Sequence, residues 1–172
     1  MNSSPILITS FQTWRAHQLE NSSQVLIAQL QQKRSLPANV VWLPNLQVNF
    51  DLAPTQVITQ IWQHRPKLIL CCGMAEKRPH LSLERGGQQG DQRLETCLDV
   101  DSLAQASVCT QVSENAGSFV CNHLYYHVLA YLKSQCPSTQ ALFVHIPALN
   151  PHNQAVIEFD FVRLVQQLNT LL

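Results

Sequence analysis

Short apolar runs alternating with helical periodicities predict an α/β fold: one domain built on a mainly parallel twisted sheet with helices on both faces. Three observations carry this. Four runs, "PILITSF", "NVVWLPN", "KLILCCG" and "ALFVHIP", are short, apolar and rich in β-formers, as buried strands are. Segments with apolar residues at helical spacing separate or follow them. The 172 residues suffice for one compact domain with a real core, and residues 1–172 show no internal repeat or linker.

In order along the chain, residues 5–11 form the first strand. "ENSSQVLIAQLQQKR" makes a helix through Val25, Leu26 and Leu30, with Asn21 or Ser22 as its cap. Residues 39–45 are the second strand. Residues 53–65 are a helix with Pro54 in the first turn and Val57, Ile58, Ile61 and Trp62 on one face. The strand at 67–73 runs into a glycine. Residues 74–102 are polar, and "ERGGQQGDQR" within them reads as loop. "SVCTQV" (107–112) is a further strand, a helix begins near Cys121, 141–147 is the last strand, and "DFVRLVQQLNTLL" is a terminal helix.

Lys+Arg and Asp+Glu number 11 each, so the formal net charge is zero and nucleic acid or an anionic membrane is a poor partner. Much of the surface polarity comes from glutamine, a weakly charged exterior that suggests self-association. "MNSSPILITSF" lacks the basic start and long apolar core of a signal peptide. No apolar run nears the roughly 18 residues of a membrane helix. Six cysteines are too few and scattered for a disulfide framework, and without a CxxC pair a structural zinc site is not expected. Cys71 and Cys72 read as core, and the protein as cytoplasmic with reduced thiols.

All five glycines follow a predicted strand or lie in the region before the Cys121 helix. Ligands of open parallel sheets bind beyond the carboxyl ends of the strands, so the glycines mark that edge, unless they are only turns. A thiol in the first turn of a helix meets free N–H groups and the positive end of the dipole, which lower its pKa and can hold an oxyanion. Equally, Cys121 continues a stripe with Leu124, Tyr125, Val128 and Leu132 and fits a core. A nucleophilic cysteine needs a base, usually histidine, and a group to orient it. His123 lies about 200° round the helix from Cys121, and His127 is also on the wrong side. His17 and His64 read as solvated. His145 ends an apolar strand at the carboxyl edge, as a base or as a satisfied core histidine. Glu84, at the border of β-like alternation and a glycine loop, is the candidate orienting acid; its bland alternative is a surface pair with Arg85 or Lys77.

With those residues in view, "AGSFVCNHLYY" followed by "FVHIP" resembles the cysteine peptidase family of pyroglutamyl peptidase I (peptidase family C15), the pyrrolidone-carboxylate peptidases. That family carries A-G-x-[FY]-[VL]-C-N around its nucleophile and F-[VI]-H-[VI]-P around its histidine. The 24-residue interval from Cys121 to His145 suits the pattern. "CCGMAEKRPHLSLER" resembles the segment ending in the family's catalytic glutamate, here Glu84, while "ILITSFQTW" and "ENSS" are weaker matches to its opening motifs. The resemblance spans about residues 5–150. It implies a phosphorylase/hydrolase-like sandwich and a cysteine exopeptidase that needs no cofactor. Cys121 attacks the pyroglutamyl carbonyl, His145 moves the proton and Glu84 orients the imidazole. It further implies an oxyanion site at the Cys121 helix start with Arg93, whose spacing from Glu84 is off by one residue. Phe11, Trp14 and Phe119 match the family's pocket-lining positions, with Val120 and Met74 as further candidates for substrate contact. The implied partners are a peptide or small acyl-amide substrate and further copies in a homo-oligomer, since tetramers are common in the family.

The opening motif departs from the family: Ser10 stands for a glycine, Thr13 for a proline, Trp14 for a phenylalanine, and Arg15 and Ala16 for glycines. "GGQQG" replaces Ala-Ile-Asn after the glutamate–arginine pair. The segment from Glu84 to Cys121 and the tail after His145 are shorter than usual. Triad chemistry is therefore better supported than pyroglutamate specificity. Two alternatives stand beside the peptidase: an amidohydrolase for another small acyl group, and a non-catalytic binding or scaffold protein on the same fold.

Overall fold

Residues 4–171 are described by the computed structural model; residues 1–3 and 172 lie outside them. The chain runs β1 (Ile6–Phe11), α1 (Ser22–Gln32), β2 (Val40–Leu46), α2 (Leu52–His64), β3 (Leu68–Met74), β4 (Leu81–Glu84), β5 (Gly86–Gln89), β6 (Gln92–Glu95), α3 (Val100–Gln105), β7 (Thr110–Ser113), α4 (Val120–Gln135), β8 (Gln140–Ile146) and α5 (Gln154–Leu171). Six strands form one sheet in the order β2-β1-β3-β8-β4-β7. Every pairing in it is parallel except β4 with β8.

The continuous apolar runs are buried on both faces, as a sandwiched sheet requires. On one face Ile6, Ile8, Leu70, Cys72, Leu142 and Val144 pack against α1, α3 and α5. On the other, Leu7, Phe11, Cys71, Ala141 and Phe143 pack against α2 and α4. Asn21 caps α1 by accepting from the Ser23 N–H. In α2, Val57 and Ile61 are buried, whereas Trp62 is 71% exposed and does not share their face.

The polar stretch after β3 is more ordered than its composition suggests. It holds β4, and the glycine-rich segment expected to be a loop is the antiparallel hairpin β5–β6. Leu81 and Leu83 of β4 are buried. Two inward leucines in four residues are too short a pattern to outweigh the polar composition around them. The hairpin docks on α4, where Asn122 pairs with the Gln88 backbone in both directions, at 2.8 and 2.7 Å. The terminal helix starts at Gln154, earlier than its sequence pattern suggests. Among the described residues no helix is long and apolar enough to cross a membrane.

Candidate active site

The site forms at the carboxyl ends of β3 and β8, over the sheet face covered by α4. Gly73 of β3 and His145 of β8 are register partners in a parallel pair, so they face the same side about 4.8 Å apart. Gly73 has no side chain, and the space above it is filled by sulfur: a Cβ built there would lie 2.8 Å from Cys121 Sγ and 3.0 Å from Phe143 Cζ. This glycine is thus a close-approach residue that lets the thiol settle against β3, next to the strand that bears His145. Phe143, two positions earlier on β8, packs against the His145 ring at a centroid distance of 4.8 Å and limits its tilt.

Antiparallel pairing sets Ser82 opposite His145 and Glu84 opposite Phe143, so Glu84 and His145 are diagonal neighbours on one face. His145 Nδ1 lies 2.6 Å from Glu84 Oε1. Glu84 is fully buried. Burial pushes its carboxyl pKa up, but the bond and charge of His145, followed by Ser113 and Arg78, hold it below the usual value overall. A carboxylate accepts, so Nδ1 carries the proton and Nε2 keeps the lone pair. Arg85 is committed elsewhere, to Asp101 and Glu114. The cationic partner of Glu84 is Arg78, at 2.5 Å.

Cys121 is the second residue of α4, whose N-cap, Phe119, makes no side-chain cap bond. First-turn N–H groups are therefore available to an oxygen held near the sulfur. Gly117 precedes this helix with φ +88°, a left-handed turn that favours glycine. One expectation is reversed here. Burial, then the negative field of Glu84, push the thiol up to about 12, outweighing the backbone bond and Arg78 that pull it down. Cys121 is partly exposed and lines the cavity, and these surroundings favour its thiol over its thiolate.

An open cavity of about 410 Å³ lies over these groups. Phe11, Val48, Trp14, Phe119 and Val120 give it apolar walls, while Met74 and Arg78 border the His145 side. Trp14 stacks on Phe119 at 4.5 Å, and Arg15 lies over Trp14 at 4.7 Å. The loop bearing Trp14 is fastened to Glu76 by Gln18 at 2.5 Å and His17 at 3.1 Å.

The structure thus gathers Cys121, His145, Phe11, Trp14, Met74, Phe119 and Val120 around one cavity, with Glu84 buried behind His145. Arg93 is the exception. It lies on β6, outside that cavity, bound to Glu95 at 2.8 Å and to the Glu114 side chain and carbonyl at 3.0 and 2.6 Å. Its guanidinium is engaged by two carboxylates and a backbone carbonyl away from the sulfur, so this structure does not place it for the oxyanion role expected of it. Arg78 is a site residue not expected from the sequence, where its one signal is an arginine six residues before Glu84. His123 packs on Phe50 and His127, away from the sulfur, as its helical phase requires.

Comparison with known proteins bears on the same residues. The family model described as Pyroglutamyl peptidase matches residues 99–161, which include Cys121 and His145. The pyrrolidone-carboxylate peptidase of Streptococcus suis is 30% identical over 146 residues, covering 67% of this chain and 68% of that one. The chain belongs to the pyroglutamyl peptidase family. The namesake enzyme of Pectobacterium atrosepticum is 29% identical over 168 residues, covering 83% of this chain and 77% of its own. The fold agrees as well: the crystal structure of Bacillus amyloliquefaciens pyroglutamyl peptidase I superposes with a TM-score of 0.85 at 20% identity, covering 97% of each chain. Of the altered positions of the opening segment, Thr13 to Ala16 lie in an exposed loop whose Trp14 and Arg15 line the cavity, whereas Ser10 is buried in β1. Buried Phe11 and Val120 form the cavity floor.

Proposed function

We propose that the protein removes N-terminal pyroglutamate from peptides, with Cys121 as nucleophile, His145 as base and then acid, and Glu84 as the group that orients His145. The observation that carries this reading is the sulfur over Gly73, the register partner of His145, whose Nδ1 is tied to a buried carboxylate, with thiol and imidazole lining one cavity. Nε2 takes the thiol proton as Sγ bonds to the lactam acid's exocyclic carbonyl carbon. The carbonyl oxygen becomes an oxyanion near the N–H groups of the α4 first turn. Collapse breaks the C–N bond, and the imidazolium gives its proton to the departing amine. Water then attacks the thioester, Nε2 takes its proton, and pyroglutamic acid leaves as the thiol regains that proton. Because the resting thiol is held up to about 12, deprotonation is coupled to attack. The oxyanion that replaces the thiolate is met by donors. Pyroglutamate is flat and uncharged, which suits apolar walls of phenylalanine, tryptophan and valine.

A second reading, an amidohydrolase for a different small acyl group, draws on the Trp14 stack, which takes space at the cavity mouth. The test is release of a fluorogenic amine from a pyroglutamyl amide by wild type and Cys121→Ala. Turnover in the wild type that the mutant loses by at least roughly 10³-fold supports the first reading. An inactive wild type whose Cys121 is still selectively carboxamidomethylated moves the assignment to the second. Neither turnover nor selective labelling leaves a non-catalytic protein.

A further inference from the structure

Glu84 Oε1 accepts from two donors at once, His145 Nδ1 at 2.6 Å and Arg78 Nη1 at 2.5 Å, while Oε2, equally buried, has no hydrogen-bond partner among the described residues. The other arm of the same guanidinium, Nη2, donates to the carbonyl of Asn115 at 3.0 Å. Asn115 lies in the segment that leads through Gly117 into α4 and Cys121. One side chain therefore spans the acid behind the base and the loop in front of the nucleophile. We propose that Arg78 is a positioning residue of this site, fixing both the charge and the rotation of Glu84 and setting the Cys121 loop against His145.

The physical need is specific. A buried carboxylate with only a neutral imidazole beside it is costly to keep ionised, and it would bind a proton instead. A protonated Glu84 would donate to Nδ1, moving the histidine proton to Nε2, which then could not accept from the thiol. A carboxylate without Arg78 could also rotate, since its two oxygens are chemically alike and one is unpartnered. The groups facing Glu84 are His145 from β8, Ser113 from β7, Cys121 and Tyr125 from α4, and Arg78 from the β3–β4 connection. Of these Arg78 is the sole permanent cation. His80 faces Arg78 and is kept less basic by burial and then by that charge. Arg78 acts through Glu84 and the loop, so the inference rests on the acid–base reading of the site but not on which acyl group it takes.

The test follows carboxamidomethylation of Cys121 against pH, peptide by peptide, in wild type, Arg78→Ala, Arg78→Lys, Glu84→Gln and the Arg78→Ala/Glu84→Gln double variant. No substrate is needed, so loss of pyroglutamyl hydrolysis in the wild type would refute the proposed function separately. Arg78→Ala should slow labelling at neutral pH by roughly 10–100-fold, as does loss of other outer groups that orient an imidazole, and move the acidic limb to higher pH. Added guanidinium should restore part of the rate. Arg78→Lys, should the alanine variant not fold, should keep the wild-type acidic limb, because the charge is retained, but at a lower plateau because the fork is lost. In the Glu84→Gln background, Arg78→Ala should add less than about threefold. Labelling within twofold of wild type at every pH, a shifted limb in Arg78→Lys, or full additivity with Glu84→Gln would overturn the assignment.

Discussion

The sharpest consequence of the geometry lies at Gly73. Its backbone is an ordinary strand, so alanine fits the chain without strain, and the nearest obstacles are Cys121 Sγ at 2.8 Å and the Phe143 ring, Cζ at 3.0 Å and Cε1 at 3.2 Å. Restoring the sulfur to the 3.4–4 Å of an ordinary contact needs a displacement of 0.6–1.2 Å. Misplacing a reacting atom by about 1 Å costs about 10²-fold in rate. Overpacking a core costs about 1–3 kcal/mol, offset by about 0.4–1 kcal/mol from the stiffer unfolded chain. Gly73→Ala should therefore lose about 1–2 kcal/mol of stability, roughly 2–8 °C in Tm for a domain of this size. It should lower kcat/KM on a pyroglutamyl amide about 100-fold, with most of the loss in kcat. The assay is steady-state hydrolysis beside calorimetry of the same preparation. A variant within about threefold of wild type in kcat/KM, with Tm unchanged, would show that the working sulfur does not stand over Gly73, and the nucleophile–base argument would fail with it.

Three further outcomes follow from named contacts. With the Cys121 thiol pushed up to about 12 by burial and by Glu84, its reactivity near neutral pH depends on proton transfer to His145. Alkylation of Cys121 in His145→Gln should be at least roughly 10²-fold slower at neutral pH and should rise only in strong alkali; an unchanged pH profile would refute the proton path. Trp14→Ala removes the stack on Phe119 and should raise KM about 3–10-fold with kcat nearly constant, from a stack worth about 0.5–1.5 kcal/mol. A fall in kcat alone would place Trp14 outside ground-state binding. Buried Asp160 accepts from the N–H groups of Val108 and Cys109 and the Thr110 hydroxyl at 2.6–3.1 Å. Asp160→Ala orphans all of them and should cost about 3 kcal/mol, read from denaturant melts; a loss under about 1 kcal/mol would mean water replaces the carboxylate.

Much of this protein was written locally. The apolar runs of β1, β3 and β8 can only be buried strands, because each is too short for a helix and too apolar for a surface. The Cys121 and His145 segments carry their family motifs intact, and the helical phase alone turns His123 away from the sulfur. Of the glycines read as marking the working edge, Gly73 does meet the Cys121 sulfur, whereas Gly86, Gly87 and Gly90 belong to the β5–β6 hairpin. The hairpin β5–β6 was hidden because glycine and glutamine composition imitates a loop, and its pairing partner, α4, lies about 35 residues away in the chain.

What the sequence could not decide was everything that depends on through-space charge and desolvation. Arg78 and Arg93 stand on either side of Glu84 in sequence, and nothing local tells which one reaches the site. The fold brings Arg78 to the carboxylate, whereas β6 carries Arg93 to Glu95 and Glu114. Likewise, the helix start at Cys121 argues for a lowered thiol pKa, and only the surroundings of the sulfur reverse the sign. The sequence by itself pointed to most strands of the sheet and to Cys121 and His145 as candidates, because hydrophobic periodicity and short motifs are properties of neighbours in the chain. The tertiary structure alone decided which arginine holds the acid and in what state the thiol rests, because Coulomb and desolvation energies depend on distances that the chain sets only once it is folded.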